Sequence, residues 1–305
     1  MKESWEPLVD LSIVHFMIYP ESMAGSGPIL ETVSRIVNDD FFSMVEVCHI
    51  NDVEVRKQVA NVIVTSHARV AFGAQPTILR GKLDPNSIDG TKRKEALSTL
   101  LPQIDEAKEL GAKRFTILSG PDPGDEKRVA ERELLIQSLL DLCAYAKDRG
   151  VSITLETFDR KIEKKSLIGP SDEALIVAKT VRKQYPDFGL MYDMGHAPLL
   201  EEDPAKSLSM LKDYLVHIHV GNCVKKPGVV GYGDQHPRFG IAGGENDVPE
   251  LVTFLRALRD IGYIPSNPRE ISPVIGFELK PVPGETSESV IANAKRTWRK
   301  AWSLI

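Results

Sequence analysis

The sequence predicts a single (β/α)8 barrel that spans residues 1–305. Eight apolar, β-branched runs alternate with segments that have helical spacing. Strict alternation over this length is typical of a closed parallel barrel, because each parallel strand needs a helical crossover before the next. A doubly wound sheet is the main competitor, but no GxGxxG motif follows the first run, and eight units fit a closed barrel better.

Glycines and acidic capping residues mark the ends of the predicted helices. Three predicted helices end at glycine, which readily adopts the left-handed conformation that closes a helix: Gly111, Gly150 and Gly262. Asp172 begins the helical run EALIVAKTVRKQ, and Asp247 opens ELVTFLRALRDIG with acids and a proline in its first turn. The predicted strands cover 8–19, 44–50, 69–74, 113–119, 151–157, 188–194, 214–221 and 273–280. The longest loop follows strand seven, at about 221–247, and loops of that length usually carry function.

Composition argues against several classes of protein. A net charge of −5 disfavours a nucleic-acid partner, because such binding relies on clustered lysine and arginine. The first apolar run is interrupted by Asp10, Ser12 and His15, so it predicts neither a signal peptide nor a membrane span. Three cysteines without CxxC spacing suggest neither a disulfide framework nor a zinc knuckle. We therefore expect a cytoplasmic protein without a membrane partner.

Potential metal ligands lie at the ends of the last four predicted strands. They are Glu156 in SITLETF, Asp193 in GLMYDMGH, His219 in VHIHVGN and Glu278 in VIGFELK. The carboxyl ends of parallel barrel strands meet at one rim, where barrel active sites lie. Three carboxylates and one imidazole suit a hard or borderline divalent cation such as manganese, magnesium, cobalt or zinc. A single residue of this kind would be interpreted as a strand-end side chain that is hydrogen-bonded to a turn. Four such residues in apolar strands favour a metal site, because buried charged groups are costly unless they are paired or metal-bound.

The motifs ITLETF, MYDMGH, HIHVGN and GFELK, in this order, resemble the xylose isomerase-like barrel superfamily. This superfamily comprises sugar-phosphate isomerases and epimerases and also includes endonuclease IV. In its ketose 3-epimerase branch, the matching residues bind one divalent metal, and the two glutamates form an acid/base pair. The resemblance implies that Glu156 and Glu278 are metal-bound acid/bases, with Mn²⁺ as the first choice of metal, and that Asp193 and His219 are ligands. His196 matches a histidine that contacts a substrate oxygen.

The loop after strand seven departs from the epimerase pattern. Epimerases place a substrate-binding arginine shortly after the strand-seven histidine, whereas this stretch reads NCVKKPGVV, with no arginine before Arg238. Lys225 or Lys226 could supply the charge, but a lysine does not reproduce a guanidinium fork. The substrate contacts therefore stay open.

The same loop contains GDQHPRFGIAGGEND, which also resembles endonuclease IV. There, an Asp-x-His pair and the D-x-G-H histidine hold an additional zinc, and the matching positions are Asp234, His236 and His196. The histidines that hold that family's remaining zinc are missing, since strand three ends in FGAQP and strand four in LSGPD. A DNA-repair nuclease is therefore disfavoured. We interpret Asp234, His236 and Arg238 as substrate-facing and leave a second metal there open.

Two further histidines are candidate substrate-binding residues. His15 and His49 lie at or near the ends of the first two strands, and Glu46 lies on strand two. All three could line a sugar pocket. The alternative for each histidine is a hydrogen-bonded place in the core.

Three hypotheses for function follow. The first is a metal-dependent isomerase or epimerase that acts on a ketose or related carbonyl sugar through an enediolate. The second is a lyase that cleaves 3-oxo-glycosides by β-elimination, as in C-glycoside deglycosylases, whose barrel chain pairs with a smaller subunit. For this lyase, the N-terminal MKESWEP segment or the long loop could form an open mouth. The third is a catalytically idle barrel that binds a ligand or protein. Homo-oligomers are expected by analogy with such barrels.

Overall fold

The computed structural model describes residues 4–305. Its eight strands form one closed barrel in chain order, and each strand is parallel to both neighbours, with β8 pairing with β1. The predicted fold class is therefore confirmed. The strands are β1 Asp10–Val14, β2 Met44–Val47, β3 Arg69–Gly73, β4 Arg114–Ile117, β5 Ser152–Glu156, β6 Gly189–Asp193, β7 Leu215–Gly221 and β8 Val274–Glu278.

Helices connect successive strands and surround the barrel. Gly111, Gly150 and Gly262 have φ values of 86°, 69° and 74°, so the three predicted glycine ends are confirmed. Asp247 caps α10 in a capping box with Glu250, as its position predicted. The helices are α1 His15–Ile18, α2 Ile29–Val37, α3 Val53–Thr65, α4 Gln75–Gly81, α5 Gly90–Glu109, α6 Asp125–Lys147, α7 Ser171–Val181, α8 Ala197–Leu200, α9 Pro204–Leu211, α10 Val248–Asp260 and α11 Ser287–Trp302, with a 3-10 turn at Pro20–Ser22.

The first predicted strand is too long. The strand ends at Val14, and the rest of the apolar run turns into helix α1 at His15. An unbroken apolar run has no period that separates a buried strand from a buried helix, which explains the error. As a result, His15 begins a helix above β1 and does not point from the strand itself.

The N-terminal segment packs at the amino-terminal end of the barrel. Trp5 precedes β1, and its ring lies 5.4 Å from that of Phe41, which precedes β2, and 6.4 Å from that of Trp298 in α11. This end is opposite to the rim formed by the carboxyl ends of the strands. The expectation that the MKESWEP segment forms an active-site mouth is therefore wrong for residues 4–7, and residues 1–3 lie outside the described part of the chain.

Within residues 4–305, no helix combines the length and the apolar character that crossing a bilayer requires.

Candidate metal centre

The carboxyl ends of β5 to β8 bring the four predicted ligands together. Glu156, Asp193 and Glu278 are the last residues of their strands, and His219 pairs in register with Asp193. Each of the four offers a donor atom, and these atoms all lie within 4.8 Å of one another. All four side chains are buried. The parallel register of adjacent strands is therefore what converts four distant sequence motifs into one cluster.

The unpaired atoms of this cluster fit a divalent cation. Nδ1 of His219 lies 2.7 Å from Glu278 Oε2, and 3.6 Å from both Glu156 Oε1 and Asp193 Oδ2. Glu156 Oε1 and Asp193 Oδ2 are buried and have no hydrogen-bond partner. Buried carboxylate oxygens without a partner are costly, and a cation among them would remove that cost. The cluster thus has the donor chemistry of a site for a hard or borderline divalent metal.

The other carboxylate oxygens are held by hydrogen bonds. Gln75 Nε2 donates to Glu156 Oε2 at 2.7 Å, and the backbone N–H of Gly195 donates to Asp193 Oδ1. Bonds of this kind orient a ligating carboxylate. Sequence reasoning did not identify Gln75, although the FGAQP motif at the end of β3 places it at the same rim.

Two carboxyl groups of the cluster differ in proton affinity. Burial by itself would raise the pKa of Asp193, but the nearby imidazoles of His196 and His219 outweigh it, so this pKa lies below its usual range. Burial raises the pKa of Glu278, and the nearby Glu156 raises it further, against His236 and His219. The lowered pKa favours an ionised Asp193, as a metal ligand would need, whereas Glu278 holds a proton more readily than an ordinary glutamate, as an acid/base would need.

A second cluster adjoins the first. Asp234 Oδ1 lies 3.0 Å from His196 Nε2 and 2.7 Å from His236 Nε2, while His236 Nε2 lies 3.5 Å from Glu278 Oε1. Donor atoms of Asp193, His196 and His236 also lie within 4.8 Å of one another. The structure therefore places Asp234, His196 and His236, three substrate-binding candidates from the sequence, beside the predicted metal ligands.

The two imidazoles of the second cluster have raised pKa values, so both hold a proton more readily than an ordinary histidine. Burial would lower the pKa of His236, but Glu278 and Asp234 raise it to about 9. The pKa of His196 also lies well above its usual value, because Asp234 and Asp193 outweigh its burial. Protonated imidazoles can donate to substrate oxygens, and a second cation could take the place of those protons, so both interpretations of this cluster stay open.

Three predicted substrate-binding residues are turned to other partners. Arg238 Nε donates to Glu285 Oε1 at 2.7 Å, and His49 Nδ1 lies 2.6 Å from Glu106 Oε2 in α5. His15 is buried, with its Nε2 at 2.7 Å from Thr32 Oγ1. The structure does not bring Arg238, His49 or His15 into either cluster.

The burial of His15 predicts a pH-dependent stability. Because its ring is buried, the pKa of His15 falls to about 3, whereas the unfolded chain takes up this proton near pH 6.5. Below pH 6.5 the unfolded state binds the extra proton, so stability falls as pH decreases, by about 1.4 kcal/mol per pH unit, or about 2 kcal/mol between pH 6.5 and pH 5.

His15→Gln is expected to remove this part of the pH dependence, as measured by urea unfolding at pH 7 and pH 5. Replacement of the exposed His67 by asparagine is the control and should leave the wild-type profile in place. Parallel profiles for wild type and His15→Gln would contradict the prediction.

A cavity of about 140 Å³ lies next to the centre. Its walls include Phe16, Met17, Met23 and Phe158, and its polar lining includes His236 and Glu278. A larger cavity of about 760 Å³ lies at the amino-terminal end of the barrel, and none of the four predicted ligands lines it. The smaller cavity therefore reaches Glu278, one of the four candidate ligands, and His236 of the second cluster.

The comparisons with known proteins agree with this architecture. A family model described as xylose isomerase-like TIM barrel matches residues 53–268. No curated protein matches the sequence. A D-tagatose 3-epimerase-like protein is similar in structure, with 18% identity over 97% of this chain and 98% of that chain and a TM-score of 0.72. The IolI protein with a bound zinc atom has 17% identity over 96% of this chain and 97% of that chain and a TM-score of 0.72.

An AP endonuclease, family 2, from Brucella melitensis is also similar, with 17% identity over 93% of this chain and 97% of that chain and a TM-score of 0.69. At such identities the structural likeness concerns the fold. The family model, in contrast, matches most of the sequence. The chain therefore belongs to the xylose isomerase-like TIM barrel family.

Proposed function

We propose that this protein is a divalent-metal-dependent isomerase or epimerase that acts on a ketose or related carbonyl sugar through an enediolate. The convergence of Glu156, Asp193, His219 and Glu278, with two buried carboxylate oxygens left without partners, is the observation that carries the proposal. The similarity to a D-tagatose 3-epimerase-like protein supports the substrate class.

The four residues would hold one cation, with Mn²⁺ as our first choice. When bound, this cation would supply positive charge to the oxygens on which an enediolate develops negative charge. Glu156 is held in place by Gln75, and Asp193 by the backbone N–H of Gly195, so both carboxylates are oriented before a ligand arrives.

Glu156 and Glu278 are the proposed acid/base pair. Proton abstraction beside a carbonyl needs a base at the carbon, and return of a proton needs an acid in reach. The raised pKa of Glu278 favours proton uptake by this residue. Return of the proton to the opposite face of the same carbon gives an epimer, and return to the neighbouring carbon gives an isomer.

His196, His236 and Asp234 are proposed to contact substrate oxygens. Asp234 Oδ1 lies 3.0 Å from His196 Nε2 and 2.7 Å from His236 Nε2, and His236 lies beside Glu278, where a substrate hydroxyl would meet the acid/base. A second cation at His196, His236 and Asp193 is the alternative. Elemental analysis distinguishes the two, since one bound metal per chain favours substrate contact and two favour the second cation.

The lyase is the second candidate, and the apolar wall of the cavity favours it. Phe16, Met17, Met23 and Phe158 line one side of the approach to Glu278, and an apolar side of this kind would suit an aglycone, while Arg80, Lys164 and Lys280 line the same cavity and would suit sugar oxygens. The same ligands and the same proton abstraction would serve β-elimination. A smaller partner subunit is part of this candidate, whereas we infer a homo-oligomer for the isomerase.

We also infer a reducing, cytoplasmic setting. Cys48, Cys143 and Cys223 are all free and buried, as in proteins that do not use disulfides.

Solvent-deuterium exchange tests the proposal. Manganese-loaded protein is incubated in heavy water with a panel of free ketoses and 3-oxo-glycosides, and products are followed by NMR. Deuterium at the carbon beside the carbonyl, together with a new sugar, is the expected result, and metal-stripped protein should give neither. Release of an aglycone would favour the lyase. No exchange with any compound would favour the idle barrel.

A further inference from the structure

A third group of polar side chains lies inside the barrel, next to the metal centre. Glu46 projects inward from β2, and its Oε2 lies 3.0 Å from Nε2 of His219. Its Oε1 lies 3.0 Å from His217 Nε2 and accepts a hydrogen bond from Ser12 Oγ at 2.5 Å. The residues of this group are buried, so Glu46 is a carboxylate surrounded by three donors inside the barrel.

The backbone of β8 makes room for this carboxylate. Gly276 pairs in register with Ser12 on one side and His219 on the other. A Cβ atom at Gly276 would lie 2.3 Å from Glu46 Oε1 and 2.6 Å from Ser12 Oγ. Only a residue without a side chain allows Glu46 to reach across the barrel to His219.

Both ring nitrogens of His219 meet a carboxylate: Nε2 meets that of Glu46, and Nδ1 meets that of Glu278. An ionised carboxylate only accepts hydrogen bonds, so Nε2 of His219 must carry a proton. The other nitrogen, Nδ1, lies 2.7 Å from Glu278 Oε2 and 3.6 Å from both Glu156 and Asp193. Nδ1 hydrogen-bonds Glu278 in the metal-free ring, and it is the nitrogen that faces Glu156 and Asp193, so a cation among these carboxylates would take the place of its proton while Nε2 keeps Glu46.

We propose that Glu46 is a positioning residue that fixes the ring orientation and the Nε2–H tautomer of His219, so that Nδ1 is the ligand atom. The inference rests on the metal centre of the proposed function. Carboxylates that hold a ligating histidine in this way orient the ring and increase its basicity.

The same three residues could be read as a separate cation site, since donor atoms of Glu46, His217 and His219 lie within 4.8 Å of one another. Their hydrogen bonding argues against it. Within residues 4–305, the buried atoms without partners include Glu156 Oε1 and Asp193 Oδ2 but no atom of these three. The group around Glu46 is satisfied by its own hydrogen bonds, whereas the carboxylates of Glu156 and Asp193 each keep one oxygen without a partner.

Glu46→Gln is a near-isosteric test. Ser12 and His217 both donate to Oε1, so the amide oxygen is expected in that place, with the amide NH2 facing His219. Two donors then meet unless the His219 proton moves to Nδ1, where it competes with a cation. We expect zinc affinity to fall about 10- to 100-fold, as for loss of other such partners.

Two further variants complete the test. Glu46→Met removes the hydrogen-bond acceptor altogether and is expected to weaken zinc binding. Its effect does not depend on the orientation of an amide group, as that of Glu46→Gln does. Glu106→Gln is the matched control, because Glu106 is a buried glutamate that contacts a different histidine, His49, outside the centre. Zinc affinity is measured by competition with a chromophoric chelator. The ¹⁵N spectra of zinc-loaded, histidine-labelled protein then show which nitrogen of His219 binds the metal.

Zinc bound through Nδ1, with both Glu46 variants weakened and Glu106→Gln unchanged, is the expected result. Zinc bound through Nε2, or wild-type affinity in both Glu46 variants, would overturn the positioning role and leave the metal centre standing. Zinc bound through Nδ1 in a protein that exchanges no sugar proton would overturn the proposed function alone. A wild-type protein that binds no zinc would overturn both.

Discussion

Glu156→Gln is expected to abolish turnover while the barrel stays folded. The substitution removes both the negative charge among the ligands and the group that takes up a proton, and loss of acid/base catalysis alone costs about 10²- to 10⁴-fold. The fold should survive because Gln75 Nε2 donates to Glu156 Oε2, and the amide oxygen of a glutamine can accept the same bond. The measurement is kcat/KM at saturating manganese, with circular dichroism as the check on folding.

Deuterium exchange separates the roles of the two glutamates. In an epimerase with one base on each face, a variant that lacks one base can still remove a proton from the other face and return deuterium there. One of Glu156→Gln and Glu278→Gln should therefore label a given substrate without forming product. Glu133→Gln, on the exposed side of α6, makes the same chemical change away from the site and should retain full activity. Full activity in Glu156→Gln would remove Glu156 from the mechanism.

The metal cluster could be predicted from the sequence because it depends on strand ends alone. Glu156, Asp193, His219 and Glu278 each end or nearly end a strand, and parallel strands in a barrel present their carboxyl ends at one rim. No knowledge of side-chain rotamers is needed for that step. The Asp-x-His pair in the loop after β7 was placed correctly beside the cluster only through its resemblance to a known motif.

The inner partners could not be predicted, because they depend on contacts across the barrel. Glu46 and His217 are 171 residues apart, and their contact requires the exact stagger of the strands and the absence of a side chain at Gly276. Gln75 similarly reaches Glu156 from 81 residues away. The sequence shows that these residues are polar, but it does not show which distant residues their side chains contact.

His49 and Arg238 were predicted to bind substrate, but the structure pairs them with residues outside the site. His49 and Arg238 lie near the rim in sequence, yet Glu106 and Glu285 provide closer partners for them. Those partners come from α5 and from the segment before α11. A position near a strand end fixes the backbone of a residue, whereas the nearest opposite charge decides where a flexible side chain points.

His219→Ala is expected to weaken metal binding more than about 100-fold, since loss of a ligand should exceed the 10- to 100-fold cost of losing one of its hydrogen-bond partners. Divalent-metal affinity is measured by chelator competition, and metal content by elemental analysis. His67→Asn changes an exposed histidine at the end of α3 and serves as the control. Unchanged metal content in His219→Ala would show that the site is assigned to the wrong residues.

The pH dependence of metal binding is an independent test of His219 as a metal ligand. Burial would lower the pKa of His219, but Glu46 and the nearby carboxylates of Asp193, Glu156 and Glu278 raise it well above its usual value. Because this pKa is raised, the ring of the metal-free protein carries an extra proton at neutral pH, and a cation must displace it. Affinity should therefore decrease as pH falls, by about tenfold per unit below that pKa. His219→Ala lacks this proton, so its affinity should depend less on pH.

The loss of metal affinity in His219→Ala should also appear as a loss of thermal stability in the presence of metal. A cation at 1,000 times its dissociation constant stabilises the folded state by about 4 kcal/mol, and a 100-fold weaker site at the same concentration retains only about 1.4 kcal/mol. Wild type and His219→Ala should therefore differ in melting temperature with metal far more than without it. A difference of equal size in chelator would mean that the imidazole acts through packing and its bond to Glu46 instead of through metal binding.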